Sequence, residues 1–410
     1  MTGRGVTDNE PSPERRGKRF AFRLVALVLG LIVGLIVAEI ALRIVGYSSP
    51  QFYEADETLG HKLIPNLSGW YTREGRNFVT INSHGFHDAD HTIEKPVDVF
   101  RVAIIGDSYV EAFQLRREES FANFIAGECS GFDDKRVEVL SFGVSGYGTA
   151  QELILLREKV IAFSPDIVML VVTTNNDISD NVRELKQTPI PFYIVQNDKL
   201  VLDDSFRTEQ GFIVRSSALG RAGTWFENQL RFVQAIREIT RKVKDWKRSR
   251  PVEATQNKTD TAVAPVIEVG IDSQVYREPT DEIWQNAWRV TEAIILETNK
   301  EVAASGAKFV VVTASNGVQV LPNVNEREAF ANLLGVDDLF YPDNRIAEFC
   351  KTNSISVITL APMLAEHAAR EKANLHGFEG NIGYGHWNQL GHAVAGKTIS
   401  RELCTKFCGR

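Results

Sequence analysis

The sequence predicts an α/β fold: a three-layer α/β/α sandwich around a five-stranded parallel sheet, preceded by one N-terminal transmembrane helix. Three observations carry this. Short apolar runs alternate with segments of helical spacing, the pattern of strands buried on both faces by crossover helices. The strand-like runs close on small or hydrogen-bonding residues, as at the carboxyl edge of a parallel sheet. A predominantly apolar stretch near the N-terminus, from Leu24 to Val45, is long enough to cross a bilayer.

That stretch is 22 residues, and a helix of this length spans about 33 Å against a hydrocarbon core of about 30 Å. Glu39 and Arg43 interrupt it near its far end, four residues apart, where they can pair with each other or reach the interface. Basic residues between Arg15 and Arg23 place the preceding end in the cytoplasm. The run is longer than a signal-peptide core, and no small-x-small cleavage site follows it. The expectation is a retained single-pass anchor in the inner membrane, with the rest of the chain periplasmic or extracytoplasmic.

The domain reading follows: a cytoplasmic tail over 1–23, the anchor over 24–45, and a connecting segment over 46–96. An α/β domain over 97–410 carries an insertion at about 178–275. The five expected strands lie in "FRVAIIGD", "VEVLSFGV", "PDIVMLVVTTNND", "AKFVVVTAS" and "ISVITLAP". Within the insertion, "PFYIVQNDKLVLDD" reads as a hairpin turning at Asn197-Asp198. Residues 224–246 read as one long amphipathic helix, with a solvated basic face at Arg241 to Arg248. Residues 249–265 have the composition of an exposed loop.

A hydrophobic content of 43% is enough for a large core, and the net charge of -7 argues against a nucleic-acid surface. Four cysteines are compatible with an oxidising compartment without fixing a pairing. Neither they nor the histidines show metal-ligand spacing, and no phosphate loop is present, so no metal or cofactor is expected.

The strand ends carry the chemistry. Ser108 ends the first strand at the start of a helix, where the positive helix terminus favours a nucleophile. The second strand ends in "FGVSGYG" and the third in "TTNND". Far downstream, "GYGHWNQLGH" holds two of the chain's eight histidines. Each piece alone is a turn or a cap. Their order, the first three each at its own strand end and the histidine segment after the last, makes them a constellation.

From about Phe100 onward the chain resembles an SGNH hydrolase of the GDSL esterase/lipase superfamily. "IIGDSYVEAF" is similar to the first block, "SFGVSGYGT" to the second, "TTNND" to the third and "GHWNQLGH" to the last. With the N-terminal anchor, it looks like the membrane-tethered bacterial members. The resemblance implies a flavodoxin-like sandwich, with Ser108 as nucleophile and His386 as general base. It also implies an oxyanion hole from the Ser108 and Gly146 amides and the Asn176 side chain. It departs at one point: the acid usual three residues before the histidine is replaced by Gly383. Glu379 is one candidate substitute; a backbone carbonyl orienting the imidazole, or a Ser-His dyad, is the alternative. His376 is a second candidate neighbour of the site, and His392 is read as a helix cap.

The expected function is a serine esterase removing acyl groups, such as acetyl, from an envelope glycan or lipid substrate. The same machinery could serve an O-acyltransferase acting on exopolysaccharide, and a non-catalytic glycan-binding protein on this fold is the third reading. Expected partners are the ester-bearing substrate, the membrane, and other envelope polysaccharide-export proteins; nucleic acid is not among them.

Overall fold

The computed structural model describes residues 13–128, 135–248 and 272–407. The first half of the expected tail, the loop at 249–265, Cys129 and Cys408 lie outside the described residues. The chain forms two compact units, one of residues 1–49 with 225–254, the other of residues 50–224 with 255–410.

In the first unit, α1 (Pro13–Ile44) contains the apolar stretch; the most apolar window of 18 residues within Lys18–Ile44 has a mean hydropathy of 2.8, and none of it is buried. The second unit opens with two small hairpins, β1 (Tyr53–Asp56) with β2 (Gly60–Leu63) and β3 (Ser68–Tyr71) with β4 (Asn77–Thr80). The α/β pattern then begins. β5 (Val99–Gly106), α2 (Ser108–Glu111) and α3 (Phe121–Glu128) lead to β6 (Arg136–Gly143), α4 (Thr149–Glu158) and β7 (Ile167–Thr173). The excursion that follows holds β8 (Phe192–Gln196), β9 (Lys199–Asp203), α5 (Gln210–Ser216), α6 (Ala218–Gln229) and α7 (Arg231–Arg248), of which the residues from Trp225 onward belong to the first unit. The pattern resumes with α8 (Glu282–Ala304), β10 (Lys308–Ala314), α9 (Val324–Leu334) and α10 (Tyr341–Thr352). It ends in β11 (Ser356–Thr359), α11 (Leu360–Glu371) and α12 (Gln389–Phe407).

The five expected strands form one parallel sheet in the order β11-β10-β7-β5-β6. Counted along the chain this is 2-1-3-4-5, the flavodoxin-like order, with its switch point at β5. β5 and β7 are buried along their whole length, which is why, Arg101 apart, they read as near-continuous apolar runs rather than alternating ones. Their side chains still alternate between two cores. Ala103, Ile105, Leu170 and Val172 face α4 and α8, while Val102, Ile104, Met169 and Val171 pack with residues of α3, α11 and α12.

Local chemistry accounts for several boundaries. Asp281 caps α8 by accepting the Trp284 N–H at 2.9 Å. Asn197 and Asp198 both take positive φ, 50° and 59°, the two-residue turn that matches strand twist and favours Asn and Asp. The structure departs from the sequence expectation in two places. The end of "ISVITLAP" is the first turn of α11, where Pro362 loses no helical hydrogen bond. The single helix expected over 224–246 is broken at Leu230 into α6 and α7. The reason lies on α1: Arg43 donates to the Gln229 carbonyl at 2.7 Å, and Glu39 accepts the Phe232 N–H at 3.0 Å. The backbone groups freed by the break are thereby satisfied.

Candidate active site

Three neighbouring strands deliver the candidate residues to one edge of the sheet. Ser108 follows β5, Gly146 lies in the turn after β6, and Asn176 lies in the turn after β7. Ser108 opens α2, whose N-cap Asp107 accepts the Tyr109 N–H at 3.0 Å and the Thr173 hydroxyl at 2.9 Å. This buried cap ties the serine turn to the next strand. Burial pushes the Asp107 carboxyl above its usual value, against the hydrogen bonds that favour its ionised form.

His386 reaches Ser108 from the segment between α11 and α12. Its Nε2 accepts the Ser108 hydroxyl at 2.8 Å. Its Nδ1–H donates to Glu74 Oε2 at 2.5 Å, and its backbone N–H donates to Glu74 Oε1 at 3.0 Å. The acid partner is therefore Glu74, which corrects the expectation placed on Glu379. Glu379 is exposed to solvent. Glu74 sits in the turn of the β3–β4 hairpin, 312 residues upstream of the histidine it orients. Burial acts to raise its carboxyl, but the hydrogen bonds and charge of His386 outweigh that and hold it below the ordinary carboxylate range.

The glycines of "GYGH" explain the departure from the usual pattern. Gly383 has φ +92°, and a Cβ there would stand 3.0 Å from the Leu321 side chain and 3.2 Å from Asn374. The position has little room for an acid and a backbone shape that resists one. Gly385 has φ +78°, and its Cβ would stand 2.4 Å from Glu74 Oε1. Glycine there clears the path for a carboxylate arriving from another part of the chain. Gly385→Ala is accordingly expected to keep the fold, with a left-handed strain of about 1–2 kcal/mol. It should still swing Glu74 off the imidazole and reduce ester turnover by at least tenfold. Unchanged turnover together with an unchanged Tm would contradict that reading of the glycine.

His376 and His392 are both near and both buried. His376 donates from Nδ1 to the Gly385 carbonyl at 2.6 Å and accepts the Ser315 hydroxyl at Nε2, 2.9 Å away. Ser315 in turn accepts the Trp387 indole N–H at 2.8 Å. Burial pushes His376 down to about 4, so it is a neutral strut fixing the backbone beside His386. His392 accepts the Phe121 N–H at 3.2 Å and is pushed by burial to about 3, a structural residue as expected.

The turn carrying Gly146 is braced from the N-terminal segment. His61 donates to the Ser145 carbonyl at 3.0 Å, and Tyr147 donates back to the His61 carbonyl at 2.6 Å. Glu111 accepts the Tyr53 hydroxyl at 2.7 Å and the Ser145 N–H. Gly146 has φ +81°, and among the described residues its amide has no backbone hydrogen bond. The Asn176 amide lies 3.3 Å from Asp107 Oδ2, beside the serine turn, and also contacts Asp177 and Asp180.

Burial raises the Glu111 carboxyl to about 8 from an ordinary 4.5, although Tyr53 and Ser145 favour the ionised form. The sign follows from linkage. Its stabilising contribution is complete below about pH 4.5 and is lost as pH rises through about 8. Glu111→Gln, which mimics the neutral acid, should gain Tm relative to the parent between pH 6 and 9. A Tm difference that stays constant across that range would refute the shift.

The arrangement is a hydroxyl, an imidazole and a carboxylate in one hydrogen-bonded line, suited to activating an oxygen nucleophile. Sequence reasoning placed Ser108, Gly146, Asn176 and His386 at one site; the structure joins Ser108 to His386 by a hydrogen bond, sets the Asn176 amide against Asp107, and holds Gly146 in the turn after β6 beside His61. It missed Glu74. No spacing rule connects a hairpin turn to a histidine this distant, and only the paired glycines at 383 and 385 hinted that the acid came from elsewhere.

No family model matches the chain, and no curated protein is similar to it by sequence. Among solved structures, it is similar to a catalytic mutant of the acetylxylan esterase Axe2 from Geobacillus stearothermophilus. That match has 10% identity and a TM-score of 0.37, covering 74% of this chain and 94% of the other. It is similar to the acetyl xylan esterase AlAXEase at 11% identity and a TM-score of 0.36, covering 75% and 100%. A lipolytic protein of the G-D-S-L family from Desulfitobacterium hafniense matches at 12% identity and a TM-score of 0.33, covering 74% and 99%.

Proposed function

We propose that this protein is a membrane-tethered serine esterase that removes acyl groups from a glycan or lipid substrate of the cell envelope. The single observation that carries the reading is the continuous line from Ser108 Oγ to His386 Nε2, 2.8 Å, and from His386 Nδ1 to Glu74 Oε2, 2.5 Å. Ser108 attacks the ester carbonyl as His386 takes its proton. The imidazolium formed is stabilised by Glu74 and then protonates the leaving alcohol. Water, activated by the same imidazole, releases the acid and restores the serine. The Ser108 and Gly146 amides and the Asn176 side chain supply the donors for the developing oxyanion. In that role Asn176 shifts part of its hydrogen bonding from Asp107 to substrate.

The tether is α1. Its apolar side chains are exposed along the stretch from Leu24 to Ile40, which water would not tolerate, and the basic residues before it favour a cytoplasmic N-terminus. Two measurements test the proposal. The first is hydrolysis of a short-chain aryl ester by the full chain, with mass-spectrometric detection of a fluorophosphonate adduct on Ser108. An adduct with turnover supports the esterase; no turnover and no adduct removes it. The second is alkaline carbonate extraction of membranes, in which an anchored protein stays in the pellet.

A further inference from the structure

α7 is inverted. In an ordinary surface helix the apolar stripe packs inward and the charges face water. Here Gln234 is fully buried and its Oε1 accepts the Ser49 N–H at 2.8 Å. Arg237 donates to the Ser49 carbonyl, and Arg231 donates to the Ser48 hydroxyl at 2.7 Å. The side that meets the rest of the unit is thus polar. The apolar stripe points outward: Ile236, Ile239 and Val243 are 58, 61 and 44% exposed. Spaced at three and four residues, they share one helix face, and the exposed Lys242 and Lys244 flank it. At the adjoining end of α6, Trp225 and Phe226 are also more than half exposed.

The position of this helix says what covers the stripe. α7 begins at Glu39 and Arg43, in the last turns of α1, and then runs past Ser48 and Ser49. It therefore crosses the end of the membrane-spanning segment, at the height where hydrocarbon gives way to headgroups. An outward apolar stripe flanked by lysines, with aromatic residues beside it, is the pattern of a helix lying in that interface. Lysines at this depth favour anionic headgroups.

We propose that α7 is an interfacial helix, seated on an anionic phospholipid surface with Ile236, Ile239 and Val243 in the acyl boundary. The inference rests on α1 being a membrane anchor. Its consequence is positional: two contacts with the bilayer, one spanning and one lying flat, restrict the orientation of the chain that a lone span would leave free to rotate.

The test uses the full chain in nanodiscs of phosphatidylcholine and phosphatidylglycerol. An environment-sensitive fluorescent amino acid is placed singly at Ile236, Ile239, Val243, Lys244 or Asp245. Probes at 236, 239 and 243 should be quenched by brominated lipids and shielded from iodide, and those at 244 and 245 should show the reverse. Iodide access at 236 and 239 overturns the proposal. So does shielding from iodide without quenching by brominated lipid, which would mean that another protein surface, a second copy included, covers the stripe. Aryl ester turnover of each variant confirms folding. Carbonate extraction of the same protein separates the two failures. A protein that leaves the membrane fails as an anchor, whereas one that stays while its probes meet iodide fails only here.

Discussion

Ser108→Ala is expected to lower kcat for aryl ester hydrolysis by about 10⁴- to 10⁶-fold, and His386→Ala by a comparable factor. The two groups act as one device. Without the imidazole the Ser108 proton has no acceptor, and without the hydroxyl the imidazole has nothing to activate. The double variant should therefore be little worse than either single one. The residual rate over water would measure what the Ser108 and Gly146 amides and Asn176 contribute. Ser108→Ala should not disturb the fold, because Ser108 Oγ has its one strong hydrogen bond to His386 and only a long contact, 3.5 Å, to Asp107. A Ser108→Ala enzyme retaining a tenth of parental turnover would mean that the nucleophile lies elsewhere.

Glu74→Gln should reduce kcat by about 10³- to 10⁴-fold, with KM nearly unchanged. The carboxylate holds the Nδ1–H tautomer through one oxygen and the His386 backbone through the other. An amide presents its NH₂ to Nδ1 in the competent orientation, which favours the tautomer that cannot accept the Ser108 proton. Because Glu74 acts through the imidazole and not on the substrate, binding should survive and the rate of fluorophosphonate labelling should fall with kcat. Glu379→Ala, by contrast, should leave both unchanged. A Glu74→Gln enzyme within tenfold of the parent, or a Glu379→Ala enzyme that loses activity, would return the acid to the position first expected from sequence.

These expectations separate what was readable in the chain from what was not. The sheet was legible because strands buried on both faces must be largely apolar, and β5 and β7 are, Arg101 and Thr173 apart. The strand-end residues were legible because a parallel sheet sends its carboxyl ends to one edge. The break at Leu230 was not, since nothing in residues 224–246 reveals that Glu39 and Arg43 will satisfy the backbone opened there. The same holds for the segment before the sheet. Read as irregular connection, it supplies Tyr53, His61 and Glu74 to the site. Its end is clamped to the sheet by the fully buried Arg101, which donates to the Thr92 and Ile93 carbonyls.

The sequence by itself determined the α/β order and the apolar N-terminal helix, which follow from periodicity acting over a few residues or one strand. Ser108, Gly146, Asn176 and His386 are put forward by their order along the chain and by the resemblance to a known family. Only the tertiary structure decided which carboxylate orients His386, and that α7 turns its apolar face outward. Both depend on contacts between segments hundreds of residues apart, where burial, free space at Gly385 and unpaired backbone groups select the partner, and no local pattern encodes them.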